Sequence, residues 1–199
     1  DDPSTIPHDV NRPSDKPLAL VYVGSTAPPI YDVSQLLKTA AALKDQLRLT
    51  IITREHDWKR HASVYHLPAN VQVKHLSGQA LADELRLSDV AAMLFADSEY
   101  RRFCMPLKLF EALGNGLPII CQPGNAAAEF VEKHHLGWVV EARQIIDTLR
   151  NVISTPSIIL EKRRHCLRIA LDHTWLARAK TILDTLSSNQ QHSTNQLPS

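Results

Sequence analysis

Two hydrophobic rhythms take turns along this chain. LALVYV at 18–23 is a continuous apolar run that stops at Gly24-Ser25, the pattern of a strand buried on both faces. From Asp32 to Leu47 the apolar residues Val33, Leu36, Leu37, Ala40, Ala41, Leu43 and Leu47 recur at helical spacing, with Asp32 placed as the N-cap. The alternation continues with strands predicted at 49–53, 71–76, 90–96, 117–122 and 137–141. Between them, helices are predicted over 79–87, 106–114 and 125–134. Strand and helix separated by short turns predict a parallel sheet wrapped by helices, a Rossmann-like α/β domain. Past residue 141 the rhythm is helical only, over 142–153, 157–171 and 173–187. The two ends are polar. Residues 1–17 hold four prolines and read as a linker or extended lead-in. Residues 188–199 read as a disordered tail, which leaves 18–187 as one domain.

Composition narrows the functional classes. With 199 residues, 44% of them hydrophobic, the chain can bury one sizeable core. The net charge of +1 and the 6% aromatic content supply neither a basic surface nor stacking platforms, so nucleic acid is not an expected partner. Cys104, Cys121 and Cys166 are odd in number and far apart, which argues against disulfides and fits a cytoplasmic location. No apolar stretch approaches the roughly 20 residues of a membrane helix, and no signal-peptide pattern is present. The chain begins at Asp1 rather than methionine, which reads as a piece of a longer protein.

In a parallel α/β sheet, ligands gather at the carboxyl ends of the strands, so the strand-to-helix turns are where chemistry is expected. The most informative stretch is MPLKLFEALGNGLPII, Met105 to Ile120. Pro106 suits a first helical position, and the helix start, facing the crevice, offers free N–H groups to a phosphate. Lys108 adds a full positive charge. Glu111, three residues on and on the same side, could accept hydrogen bonds from both hydroxyls of a ribose. Leu107, Phe110 and Leu113 are expected to face the sheet. Spacing alone favours an ordinary amphipathic helix with a surface Lys–Glu pair. A cation in the first turn opposes the helix dipole, and that tilts the reading towards a nearby anion.

Other turns contribute candidates. Gly124 and Asn125 open the next helix, where Asn125 can cap and Glu129 lies one turn in; a capped helix without a ligand explains them equally well. Gly24-Ser25 is a small-residue turn fit to lie beside a phosphate, although it matches neither GxGxxG nor the P-loop. Thr53-Arg54 and Lys74-His75 end the second and third strands, where Arg54 could reach phosphate or base and the backbone near His75 could read a base edge. For both, a plain surface or half-buried polar role is the simpler reading. Ten histidines form no HxxxH or HExxH, and Asp-x-Asp and GxSxG are absent, so no metal or serine nucleophile is expected.

Taken together, four stretches resemble the C-terminal domain of family 4 retaining glycosyltransferases, which have the GT-B fold. They are VYVGS at 21–25, PLKLFEALGNGLPII at 106–120, GNAAAEFVEKHHLGWVV at 124–140 and HTWLARAKTILDTL at 173–186. The second is the specific one; the helix with Trp175 supports it. The resemblance implies one half of a GT-B fold that binds a nucleoside diphosphate sugar, a UDP- or GDP-sugar, and takes part in metal-independent hexosyl transfer with retention. It implies that Glu111, the second glutamate of a Glu-x7-Glu motif, holds the ribose. Lys108, with Pro106 and Leu107 in the same stretch, would face phosphate, with Gly24 and Ser25 near the diphosphate. Gly124, Asn125 and Glu129 would lie near the donor sugar and phosphates. Lys108 and Glu111 are the catalytic candidates, and Thr53, Arg54 and His75 complete the donor set.

The chain departs from the pattern at two places. Phe103 stands where the first glutamate of the motif belongs. The loop after Gly24 reads STAPPIYD and lacks the usual basic residues, so phosphate charge would fall to Lys108, Arg54, Arg101 or Arg102, or to helix ends. The expected partners are a nucleotide sugar and an N-terminal acceptor-binding domain, whose surface would also carry any peripheral membrane contact of the full-length protein. Two further readings stay open. One is a non-catalytic module of this fold that binds a nucleotide or a protein. The other is a sugar-nucleotide epimerase-like domain.

Overall fold

The structure, a computed structural model, describes residues 16–94, 99–174, 176, 177, 179, 180 and 183; of Tyr100 and Arg101 it describes the backbone alone. The expected lead-in and tail therefore fall outside the described residues, apart from Lys16 and Pro17, as does Trp175 in the third of the C-terminal helices.

Six strands form one parallel sheet. They are β1 (Leu18–Val23), β2 (Leu47–Ile52), β3 (Val71–Lys74), β4 (Val90–Met93), β5 (Ile119–Cys121) and β6 (Gly137–Val139). Their order across the sheet is β3-β2-β1-β4-β5-β6. The chain first winds outward from β1 to β3, then returns to β4 on the other side of β1 and winds the opposite way. The crevice between β1 and β4 is thus the switch point at which doubly wound folds hold ligands.

The helices are α1 (Ser34–Leu43), α2 (Glu55–His61), α3 (Gly78–Arg86), α4 (Glu99–Phe103), α5 (Leu107–Gly114), α6 (Ala126–Lys133), α7 (Ile145–Ser154) and α8 (Pro156–Asp172). Period-two alternation along β1 sends Leu18, Leu20 and Tyr22 to one face and Val21 to the other. The first face packs on Leu36 and Leu43 of α1 and Leu149 of α7. The second packs on Leu109 and Leu113 of α5, Val131 of α6 and Cys166 of α8. Coverage on both faces is why the strands are runs of apolar residues.

At the amino ends of the strands the buried Asp89 accepts a hydrogen bond from the Ala19 N–H at 2.8 Å. Arg163 of α8 donates to the carbonyls of Ser88 and Arg86 beside it. That end is closed by polar ties; the carboxyl end is open. At the sheet's edge Gly137 is obligatory, because a Cβ there would fall 1.8 Å from the carbonyl oxygen of its β5 partner Ile119.

Several expectations need correction. The helix predicted from Asp32 begins at Ser34, and its last turn, Lys44–Gln46, tightens to 3-10 geometry. Asp32 still serves its start, since Oδ1 accepts from the Ser34 N–H at 2.9 Å and the Ser34 hydroxyl at 2.6 Å. Pro106 is the N-cap of α5, one residue before the first helical position. Leu107 does not face the sheet: it is 59% exposed, while Leu109, Ala112 and Leu113 are buried. Those three make the i, i+3, i+4 stripe, and two residues of helix turn Leu107 about 200° away from Leu109. Helices α2 and α4 had no counterpart in the predicted elements.

Candidate functional site

A cleft of about 1040 Å³ opens at the carboxyl ends of the strands. Its floor is the end of β1. There the Gly24 N–H donates to the Ile52 carbonyl at 3.0 Å, joining the first turn to β2. The Tyr22 hydroxyl, buried under the turn, donates to the Ser25 carbonyl at 2.7 Å. A Cβ at Gly24 would come within 2.8 Å of that hydroxyl oxygen, so glycine is what allows the turn to lie flat on the tyrosine.

One wall comes from β2 and β3. The Thr53 N–H donates to the Lys74 carbonyl at 3.1 Å, extending the ladder past the end of β2. The Thr53 carbonyl lies 2.9 Å from His75 Nδ1. Thr53 is 6% exposed, and its hydroxyl has no hydrogen-bond partner among the described residues, as is also true of Thr26. Arg54, Glu55 and Asp57 follow at the mouth of the cleft as α2 begins.

The facing wall is the first turn of α5, with Cys104 and Pro106 leading in. Lys108 and Glu111 both line the cleft, and both are about two-fifths exposed, at 41% and 42%. They bind each other, Lys108 Nζ donating to the two carboxylate oxygens at 3.0 and 2.9 Å. The amino end of α6 closes the cleft. Asn125 caps it, Oδ1 accepting from the Ala128 N–H at 3.0 Å while Nδ2 donates to the Gln122 carbonyl at 2.9 Å.

Of the residues singled out from sequence, Gly24, Ser25, Thr53, Arg54, His75, Pro106, Lys108, Glu111 and Asn125 converge on this one cleft. Leu107, Gly124 and Glu129 do not line it and face solvent. Phe103 and Arg102 sit exposed on α4, also outside it, and Phe103 is 83% exposed. Sequence reasoning missed Tyr22, Tyr31, Glu55, Asp57 and Cys104, which line the cleft. Two of these sit on α2. Its sequence EHDWKRH carries no apolar stripe, and none of its residues is buried, so periodicity had nothing to detect.

The cleft is electrically mixed. Arg54 and Lys108 bring positive charge, against the carboxylates of Glu55, Asp57 and Glu111. Glu55 is matched by Lys59 at 2.7 Å, whose hydrogen bond and charge hold its carboxyl below the usual 4.5. Asp57 lies 2.9 Å from His56 Nε2. Among the described residues no three His, Cys, Asp or Glu side chains stand together as a metal ion would need. The buried cysteines are chemically quiet, because burial pushes the thiols of Cys121 and Cys166 up to about 12.

The sheet order and the cleft at its switch point define a Rossmann-like α/β unit of the type that makes up each half of a GT-B glycosyltransferase. The chain belongs to the family described as glycosyl transferases group 1, whose model matches residues 17–155. No curated protein matches the chain in sequence.

Solved structures resemble it in fold. Sucrose-phosphate synthase from Thermosynechococcus elongatus aligns with a TM-score of 0.68 at 16% identity, over 92% of this chain and 47% of its own. The Anabaena protein HepE, in complex with UDP and glucose, aligns at 0.64 and 17%, over 86% of this chain and 48% of its own. WaaG, a glycosyltransferase involved in lipopolysaccharide biosynthesis, aligns at 0.62 and 18%, over 82% and 45%. The chain therefore spans less than half the length of these proteins. Among the described residues no helix is long and apolar enough to cross a membrane.

Proposed function

We propose that this chain is the nucleotide-sugar-binding, C-terminal half of a retaining, metal-independent hexosyltransferase, with the acceptor held by an N-terminal half. The observation that carries the reading is the placing of Lys108 and Glu111, one turn apart at the start of α5, in the cleft opposite the Gly24-Ser25 turn. A diphosphate between those elements would draw the Lys108 ammonium from its pairing with Glu111. The released carboxylate could then accept from ribose hydroxyls. In transfer, the bond from the anomeric carbon to the diphosphate oxygen breaks as a bond to the acceptor oxygen forms, and the acceptor's hydroxyl proton passes to the departing diphosphate. Lys108 and the open N–H groups at the amino end of α5 would meet the charge that grows on the leaving diphosphate. The glycosyltransferase family supports this reading, as does the UDP and glucose held by HepE.

The test is binding by this chain of UDP, GDP and ADP. A nucleotide at a hundred times its Kd raises stability by about 2.7 kcal/mol, which is visible as a rise in Tm. Lys108→Ala and Glu111→Ala should each weaken binding about tenfold or more, the effect of removing a charge-assisted hydrogen bond. The exposed ion pair itself is worth only about 0.2–1 kcal/mol, so the variants should fold normally. Without the N-terminal half, transfer to an added acceptor should be slight. A second reading, a module that binds a partner without catalysis, is favoured by one feature: exposed Phe103 in place of the motif's first glutamate. A Tm that ignores every nucleotide would decide for it.

A further inference from the structure

Resting on the donor-site reading above, we propose that His75 selects the base: it accepts a hydrogen bond from a ring N–H and so favours uracil or guanine over cytosine or adenine. The imidazole follows β3 on the wall of the cleft and is exposed. Its Nδ1 lies 2.9 Å from the carbonyl oxygen of Thr53. A carbonyl oxygen can only accept, so Nδ1 carries the hydrogen. In the neutral ring Nε2 is then left with a lone pair and no hydrogen.

The tautomer is set by a rigid element. Thr53 is tied through its own N–H to the Lys74 carbonyl at 3.1 Å, and it is 6% exposed. The carbonyl that orients the ring therefore belongs to the sheet's own ladder rather than to a free loop.

The surroundings suit the plane of a base. Leu76 and Leu81 line the same part of the cleft with apolar surface. The amino end of α3 lies beside them, and Ser77 makes no side-chain cap there, so its N–H groups are available to a carbonyl. Protein donors next to one fixed acceptor match an edge in which a carbonyl flanks a ring N–H. Uracil and guanine carry that edge. Cytosine and adenine place a ring nitrogen lone pair where the hydrogen should be, and two lone pairs would then face each other.

The experiment is calorimetric titration of this chain with the pairs UDP and CDP, GDP and ADP, and with UDP methylated at N3. We expect the oxo base of the pair that binds to exceed its amino counterpart by about tenfold or more. N3-methylation should cost UDP a similar factor. In His75→Phe, whose ring cannot accept, the two members of a pair should bind within about threefold of each other. Equal binding of oxo and amino bases by the native chain, or a preference that survives in His75→Phe, would overturn the role of His75. If binding is then still lost in Lys108→Ala, the diphosphate site stands without it. Absence of binding by every nucleotide would sink both. The methylated ligand requires no mutation, so its result holds whether or not the variant folds.

Discussion

Gly24 shows how tightly single residues shape the cleft. A methyl group there would lie 2.8 Å from Tyr22 Oη and 3.1 Å from Tyr22 Cζ, inside ordinary contact distance. The tyrosine is 1% exposed and cannot swing aside. Gly24→Ala should therefore cost about 1–3 kcal/mol, the usual price of overpacking. Tyr22→Phe alone forfeits the hydrogen bond to the Ser25 carbonyl, worth about 1 kcal/mol. Together the two changes should cost clearly less than their sum, because removing the oxygen relieves the closest clash. Urea denaturation of the two single variants and the double variant measures that coupling. Strict additivity would show that the turn rests on something other than the phenol.

At the scale of elements, the structure separates what the sequence could announce from what it could not. Asn125 announced itself: a capping residue before AAAEFVEK is a local signal, and it does cap α6. Asn125→Ala should cost about 1 kcal/mol, while Asn125→Asp keeps the acceptor and should cost less; thermal melts of the pair would check this. The long apolar runs of β1, β2 and β4 were equally plain, because strands covered on both faces need no polar residue. Pro106 and Leu107 show the limit. Composition marked a helix start but did not fix its phase, and one residue of phase decides whether Leu107 meets the core or water. Helix α2 was silent for the opposite reason, since it packs no buried face at all. Its two acidic cleft residues, Glu55 and Asp57, could be placed only once the turn after β2 was seen in space. Likewise the contact between His75 and Thr53 joins residues 22 apart in sequence, and only the parallel pairing of β2 and β3 brings them together.

Across the whole molecule, two titrating groups on distant elements should act in the same direction. His134 ends α6, and its ring packs on Phe130 at 4.4 Å and His173 at 5.4 Å between centroids. Burial, then the charges of Lys133, His165 and His135, hold its pKa below the ordinary 6.5. The unfolded chain therefore takes up a proton there more readily than the folded one. The stability this group contributes is full above about pH 6.5 and is lost as pH falls through the folded value. Asp32 acts further down. Partial burial works to raise its pKa, but hydrogen bonds from the Ser34 hydroxyl and N–H outweigh it, so the carboxyl titrates below its usual 3.8. Its contribution is present above that value and disappears on further acidification. Calorimetric melts from pH 8 to pH 3 should thus show Tm falling in two stages. The first should shrink in His134→Phe, which keeps an aromatic ring against Phe130 but cannot take a proton. The second should shrink in Asp32→Asn, whose side chain carries no charge to lose. If His134→Phe retains the full first stage, the loss below about pH 6.5 arises elsewhere and the packing of α6 on the end of α8 is not its source.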